Sequence, residues 1–113
     1  MAAKWEHGVP VKTHLAVSGV YSLQQPIFGD IIYRLLLADD AMIEVEVGKA
    51  AERQSMTVVI QQPLDGGCEV AWPSGVKWQE DRAPFVDSRP AAITVATFTR
   101  IDDSDLLFGR VGF

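Results

Sequence analysis

Glu69-Val-Ala-Trp-Pro-Ser-Gly-Val-Lys-Trp78 sets two tryptophans on either side of a Pro-Ser-Gly turn, shortly after a β-rich run and a Gly66-Gly67 turn. Pro73 has no amide to donate and Gly75 tolerates positive φ, so the chain is predicted to leave a strand at Trp72, turn, and resume extended structure at Val76. Val70, Trp72, Val76 and Trp78 then lie at even spacing around the turn and share one apolar, aromatic face. Trp72, Trp78 and Phe85 invite a reading as a stacking platform for sugars or bases. The parity with Val70 and Val76 favours the other reading, a corner packed into the core.

Outward from this segment, short runs rich in β-branched and aromatic residues alternate with Gly, Pro and Asp clusters, which predicts an all-β fold. The predicted strands are Leu15–Val17, Val20–Leu23, Ile31–Ala38, Met42–Val47, Met56–Gln62, Glu69–Trp72, Val76–Trp78, Ile93–Arg100 and Leu106–Gly112. The expected architecture is an antiparallel, jelly-roll-like β-sandwich over residues 13–113, preceded by an extended arm over residues 1–12. In Met42-Ile-Glu-Val-Glu-Val47, Glu44 and Glu46 should face water while Ile43, Val45 and Val47 face the core. Asp39-Asp40 is expected to close a hairpin into Met42. Ala50–Gln54 reads as a loop with one helical turn, too short for a free-standing helix. Asp102–Asp105 is expected to turn the last two strands into a terminal hairpin, with Phe113 docked.

The 113 residues suit one domain, and 48% hydrophobic with 22% charged residues is the balance of a folded globular chain. A net charge of −5 with ten scattered Lys and Arg argues against nucleic acid as a partner, since phosphate binding needs clustered cations. No run has the length or flanks of a membrane span or secretory signal, so cytosolic synthesis without membrane association is expected. Cys68, the single cysteine, excludes an intrachain disulfide and reads as a small residue at a strand start.

Phosphate loops, dinucleotide fingerprints, zinc helices and nucleophile elbows are missing, and no enzyme activity, cofactor or metal is expected. His7 and His14 lack partners at metal or Ser-His spacing and read as surface or terminal residues. Asp102, Asp103 and Asp105 lack the spacing of a calcium loop. Asp39 and Asp40, adjacent in a turn, diverge and do not make a glycosidase carboxylate pair. Arg82 and Arg89 stand in the longest predicted loop, Gln79–Ala92, among Glu80, Asp81 and Asp87.

Thr57-Val-Val-Ile-Gln-Gln-Pro63, Gly66-Gly-Cys-Glu-Val-Ala-Trp-Pro-Ser-Gly-Val-Lys-Trp78, Ala83-Pro84, Ile93-Thr-Val-Ala-Thr-Phe98 and Phe108-Gly109 together resemble a recurring β-domain of tailed-phage virions. The resemblance covers the second half of the chain, and Gln79-Glu-Asp-Arg82 departs from the Gly-rich loop usual after the second tryptophan. It implies a non-enzymatic structural role in capsid decoration proteins, collars or tail fibres. The chain's size suits a decoration (cement) protein on the capsid surface, made in the host cytoplasm, bound to the major capsid protein and self-associating as a dimer or trimer. Its expected partner contacts are Trp5, His7 and Val9 in the arm and Glu80, Arg82 and Arg89 in the loop, with Trp5 as aromatic anchor. A tail-fibre, collar or receptor-binding adaptor is the alternative.

Overall fold

The computed structural model describes residues 11–24, 29–46, 54–100 and 107–112. The strands are β1 (Val11–Gln24), β2 (Gly29–Glu46), β3 (Gln54–Gln61), β4 (Val70–Ala71), β5 (Val76–Trp78), β6 (Ile93–Arg100) and β7 (Leu107–Val111). They form one mixed sheet in the order β1-β2-β3-β6-β7-β5, with β4 on a second stretch of β2. The expected all-β class holds. The expected antiparallel arrangement does not: β1–β2, β2–β3, β2–β4 and β5–β7 are parallel, and only β3–β6 and β6–β7 are antiparallel among the described residues.

Parallel pairing between successive strands requires the chain to return to its starting side, and it does so by bending within the strands. A straight β2 of 18 residues would reach about 60 Å, yet the molecule measures 41 × 40 × 23 Å. The link from Gln24 to Gly29 can span no more than about 19 Å, while a straight 14-residue β1 would need about 46 Å. β1 bends where Ala16 (φ 55°) and Gly19 (φ 65°) enter the left-handed region and the pairing register shifts. Glycine adopts that conformation without steric cost.

Three bends stack. Val17 and Gly19 pair with Leu37 and Ala41, so Ser18 lies beside Ala38–Asp40. Leu36 pairs with Gln61 and Ala41 with Val70, which sets the Gln62–Glu69 loop over the same corner. Each pass of the chain is therefore a two-limbed coil lying beside the previous one, with neighbouring coils roughly 20–30 residues apart in sequence. The antiparallel pair β6 and β7 then continues the first limb.

Asp39-Asp40, expected to turn the chain into a hairpin, lies instead within the continuous strand β2, at its bend. The Asp40 amide donates to Asp39 Oδ1 (2.8 Å), and Asp40 Oδ1 accepts the Glu69 amide of the next coil (2.8 Å). Ala41 N–H donates to the Glu69 carbonyl at 2.9 Å. Both limbs of β2 thus pair with neighbouring coils and leave their apolar faces to meet each other.

That enclosed face is the core. Tyr33, Leu35, Val58, Ile60, Ala96 and Phe98 from the first limb join Leu23, Ala41 and Ile43 from the second in one buried cluster. Leu35, Ile43 and Phe98 are fully buried, each such side chain contributing about 1.5–3 kcal/mol by leaving water. The alternation read in Met42–Val47 is present as far as Glu46: Ile43 is buried, Val45 half-buried, Glu44 and Glu46 exposed.

The terminal hairpin forms as expected, Phe98 pairing with Gly109 and Ala96 with Val111. β1 begins at Val11, so Val11 and Lys12 belong to the sheet, not to the preceding arm. Residues 47–53, the Asp102–Asp105 turn and Phe113 lie outside the described residues.

Gly109 shows how tightly the last strand packs. A Cβ there would lie 2.5 Å from Trp78 Cε3 and 2.9 Å from Val76 Cγ1. Gly109→Ala is expected to destabilise the fold by about 1–3 kcal/mol through overpacking, seen as a lower urea midpoint with an unchanged slope.

Candidate interaction surfaces

The tryptophan corner goes to the core. Trp72 and Trp78 are half-buried, with ring centroids 5.9 Å apart in an edge arrangement, and both rest on Phe98 at 6.0 and 5.3 Å. Such pairs contribute about 0.5–1.5 kcal/mol beyond area burial. The Pro-Ser-Gly turn carries the chain between two different partners, β4 running beside β2 and β5 beside β7. Phe85, at 88% exposed, is not part of the Trp72–Trp78–Phe98 ring cluster, although it lines a hollow of about 360 Å³ together with Trp72.

The loop after Trp78 is tied down along its length. Gln79–Asp81 form a single 3-10 turn, and Arg82 N–H donates to the Gln79 carbonyl at 3.3 Å. Trp72 Nε1 donates to the Pro84 carbonyl (3.1 Å), Asp87 N–H to Thr94 Oγ1 (3.1 Å) and Gly67 N–H to the Ser88 carbonyl (2.8 Å). Gly66 presses against this strap so closely that a Cβ would come within 2.5 Å of the Ser88 oxygen. Of the expected contact residues, Arg82 and Arg89 are exposed here. The side chain of Glu80 lies outside the described structure, as do Trp5, His7 and Val9.

Arg89 is already engaged. Its guanidinium meets Asp87 at 2.5 Å and its backbone N–H reaches Asp87 Oδ1 at 3.0 Å. The side-chain hydrogen bond, then the backbone one, hold the Asp87 carboxyl down at about 2. The Arg89 side chain is 82% exposed, so the pair contributes little to folding.

His14, expected at the surface, is half-buried. Its Nδ1 is hydrogen-bonded to the Tyr21 hydroxyl across the β1 bend, and its ring lies 5.4 Å from Tyr21 and 5.6 Å from Tyr33. The Tyr33 hydroxyl donates to the Gln24 carbonyl (2.8 Å). Burial pushes the Tyr33 phenol up, with the bond to Gln24 opposing.

Cys68 is buried, its N–H donating to Gln62 Oε1 (3.0 Å) while Gln62 Nε2 donates to its carbonyl (2.8 Å). Burial, reinforced by the charges of Asp39 and Asp40, pushes the thiol up. A thiol kept protonated in this way is a poor nucleophile or metal ligand. Among the described residues no cluster of three His, Cys, Asp or Glu is placed to hold a metal ion. Asp39 and Asp40 spend their carboxylates on backbone amides of the corner.

The surface the sequence reading overlooked is on the outer side of the second limbs. Val20 pairs with Met42 and Met42 with Ala71, forming an outward column across three coils. Val20 is 65% and Met42 48% exposed. With Gly19, Asp40, Ala41, Glu69 and Val70 they line an open groove of about 400 Å³. Its floor is apolar and its rim carries two carboxylates, which suits an aliphatic or aromatic side chain of a partner. The signal was present: Met42 shares parity with the outward Glu44 and Glu46.

A second hollow of about 360 Å³ lies between Lys77, Trp78 and Gln79 on one side and Thr99, Phe108 and Arg110 on the other. No helix among the described residues is long and apolar enough to cross a membrane.

Replacing Arg89 by Ala is expected to return the Asp87 carboxyl from about 2 toward the usual carboxylate value near 4. The sign follows from the lowered folded value: the pair's small stabilisation is complete above the unfolded carboxylate value and is lost as pH falls through about 2. Carboxyl chemical shifts of Asp87 followed through an acid titration check both statements.

No family model, curated protein or solved structure matches this chain.

Proposed function

We propose that this chain is a capsid decoration (cement) protein of a tailed phage, binding the major capsid protein non-covalently at subunit junctions on the outside of the shell. The observation that carries the reading is the outward Val20–Met42–Ala71 column with its groove, an apolar face on a chain of net charge −5. An isolated apolar face of this kind serves as a docking surface. A repetitive shell supplies many equivalent sites, so each copy needs only a modest interface, reinforced where a terminal segment reaches a neighbouring subunit.

In this reading Trp5, His7 and Val9 supply the arm contact, and Glu80, Arg82 and Arg89 rim the loop face. The second virion reading, a tail-fibre, collar or receptor-binding adaptor, would draw its aromatic platform from Trp72, Trp78 and Phe85. The packing of both tryptophans against Phe98 weighs against it.

Met1–Pro10 precede β1, so their removal is expected to keep the β-sheet spectrum while sharply reducing occupancy on particles. Trp5→Ala is expected to cost about 2 kcal/mol or more of binding, and Met42→Lys to reduce occupancy with little change in folding stability. Densitometry of purified particles, with imaging of where the protein sits, reads these outcomes. Full occupancy by both the truncated and the Met42→Lys proteins, or location at a single vertex, would overturn the reading.

A further inference from the structure

We infer that the first coil, β1, is a two-fold dimer interface whose occupant is a second copy of this chain, the Val11–Ala16 limb of one copy pairing antiparallel with the Gly19–Gln24 limb of the other. The inference narrows the expected self-association as a dimer or trimer to a two-fold dimer and is independent of the shell role.

β1 ends the strand order, with β2 as its one strand neighbour among the described residues. Half of its backbone amides and carbonyls therefore point away from the sheet. Natural edges are protected by shortness, proline or charge. This one is 14 residues long, contains no proline and no acidic residue, and carries a single formal charge at Lys12. Val11, Leu15 and Val20 along it are 57%, 72% and 65% exposed.

Charge and shape select the occupant. β1 itself carries no carboxylate, and those of Asp30, Asp39, Asp40, Glu44 and Glu46 stand one strand inward on β2, so two acidic chains meeting across β1 set no acidic side chains directly against each other. The bend at Val17-Ser18 separates two described limbs, Val11–Ala16 and Gly19–Gln24. A two-fold axis through the bend exchanges the limbs and brings each beside its counterpart in the partner with opposite chain direction. Such an interface is self-complementary and closed. The opposite end of the sheet is the three-residue β5, too short to receive a 14-residue coil, so head-to-tail stacking into a filament is mismatched.

In this register Thr13 faces Ser22 of the other copy. The full-length protein is expected to sediment as a dimer at micromolar concentration. Thr13→Cys combined with Ser22→Cys is expected to give a covalent dimer on mild oxidation, and either substitution alone at least about tenfold less, because the two-fold pairs unlike positions. Val20→Lys with Ser22→Lys is expected to yield a monomer with the wild-type β spectrum. A monomeric wild-type protein, a trimer, a dimer insensitive to both lysines, or equal cross-linking by the single variants would overturn the inference. So would a monomer that dimerises only after removal of Met1–Pro10, which would make that segment the occupant of the edge. A monomeric protein that still decorates particles fully would overturn the dimer while leaving the shell role standing.

Discussion

The hydrogen bonds that join Asp40 and Ala41 to Glu69 hold the second and third coils in register at the point where both change direction. The architecture depends on that corner. A strand as long as β2 can bury apolar residues on two successive stretches only if it bends between them, and the bend must satisfy its backbone groups without closing a hairpin. Asp39 and Asp40 do this with their carboxylates, one serving the bend of its own strand and the other the adjacent coil. Because β1 bends beside the same place, the two sets of limbs face one another and enclose a common core.

The remaining elements close that core from the side opposite β1. β6 brings Ala96 and Phe98 into it, and the two tryptophans lie on Phe98 where β4 and β5 diverge. Gly109 admits Trp78, Gly66 admits the Ser88–Pro90 strap, and the Gln62 amide satisfies both backbone groups of buried Cys68. One end of the sheet is consequently finished with aromatic packing and tethered loops. The other end presents an extended coil with its outer edge toward solvent.

Features set by nearby residues were legible in the chain: the Val76–Trp78 strand, the terminal hairpin, the alternation around Glu44 and Glu46, and the core position of the tryptophans. Strand direction was not, because an aspartate turn has the same local chemistry at a hairpin corner and at a coil bend. What separates the two is whether Asp40 finds its own strand or Glu69, nearly thirty residues away, and such long-range pairing leaves no short-range signature. The same limit hid the groove: the outward parity of Met42 can be read from its strand, whereas its alignment with Val20 and Ala71 depends on the parallel register. The open edge was hidden likewise, since Val11–Gln24 reads as two short strands until the bend unites them. The half-burial of His14 was hidden for the same reason, its Tyr21 and Tyr33 neighbours being assembled by the bend and by β2.

The tryptophan corner stabilises the fold, and the first coil is the proposed site of association. Amide hydrogen exchange on the full-length protein, followed through a dilution series that crosses the dimer dissociation range, separates these roles directly. Protection of Val11–Gln24 is expected to fall on dilution while that of Val76–Trp78 and Ile93–Arg100 is unchanged. Protection that is constant along Val11–Gln24, with the concentration dependence found at Val76–Trp78 instead, would contradict this division of roles.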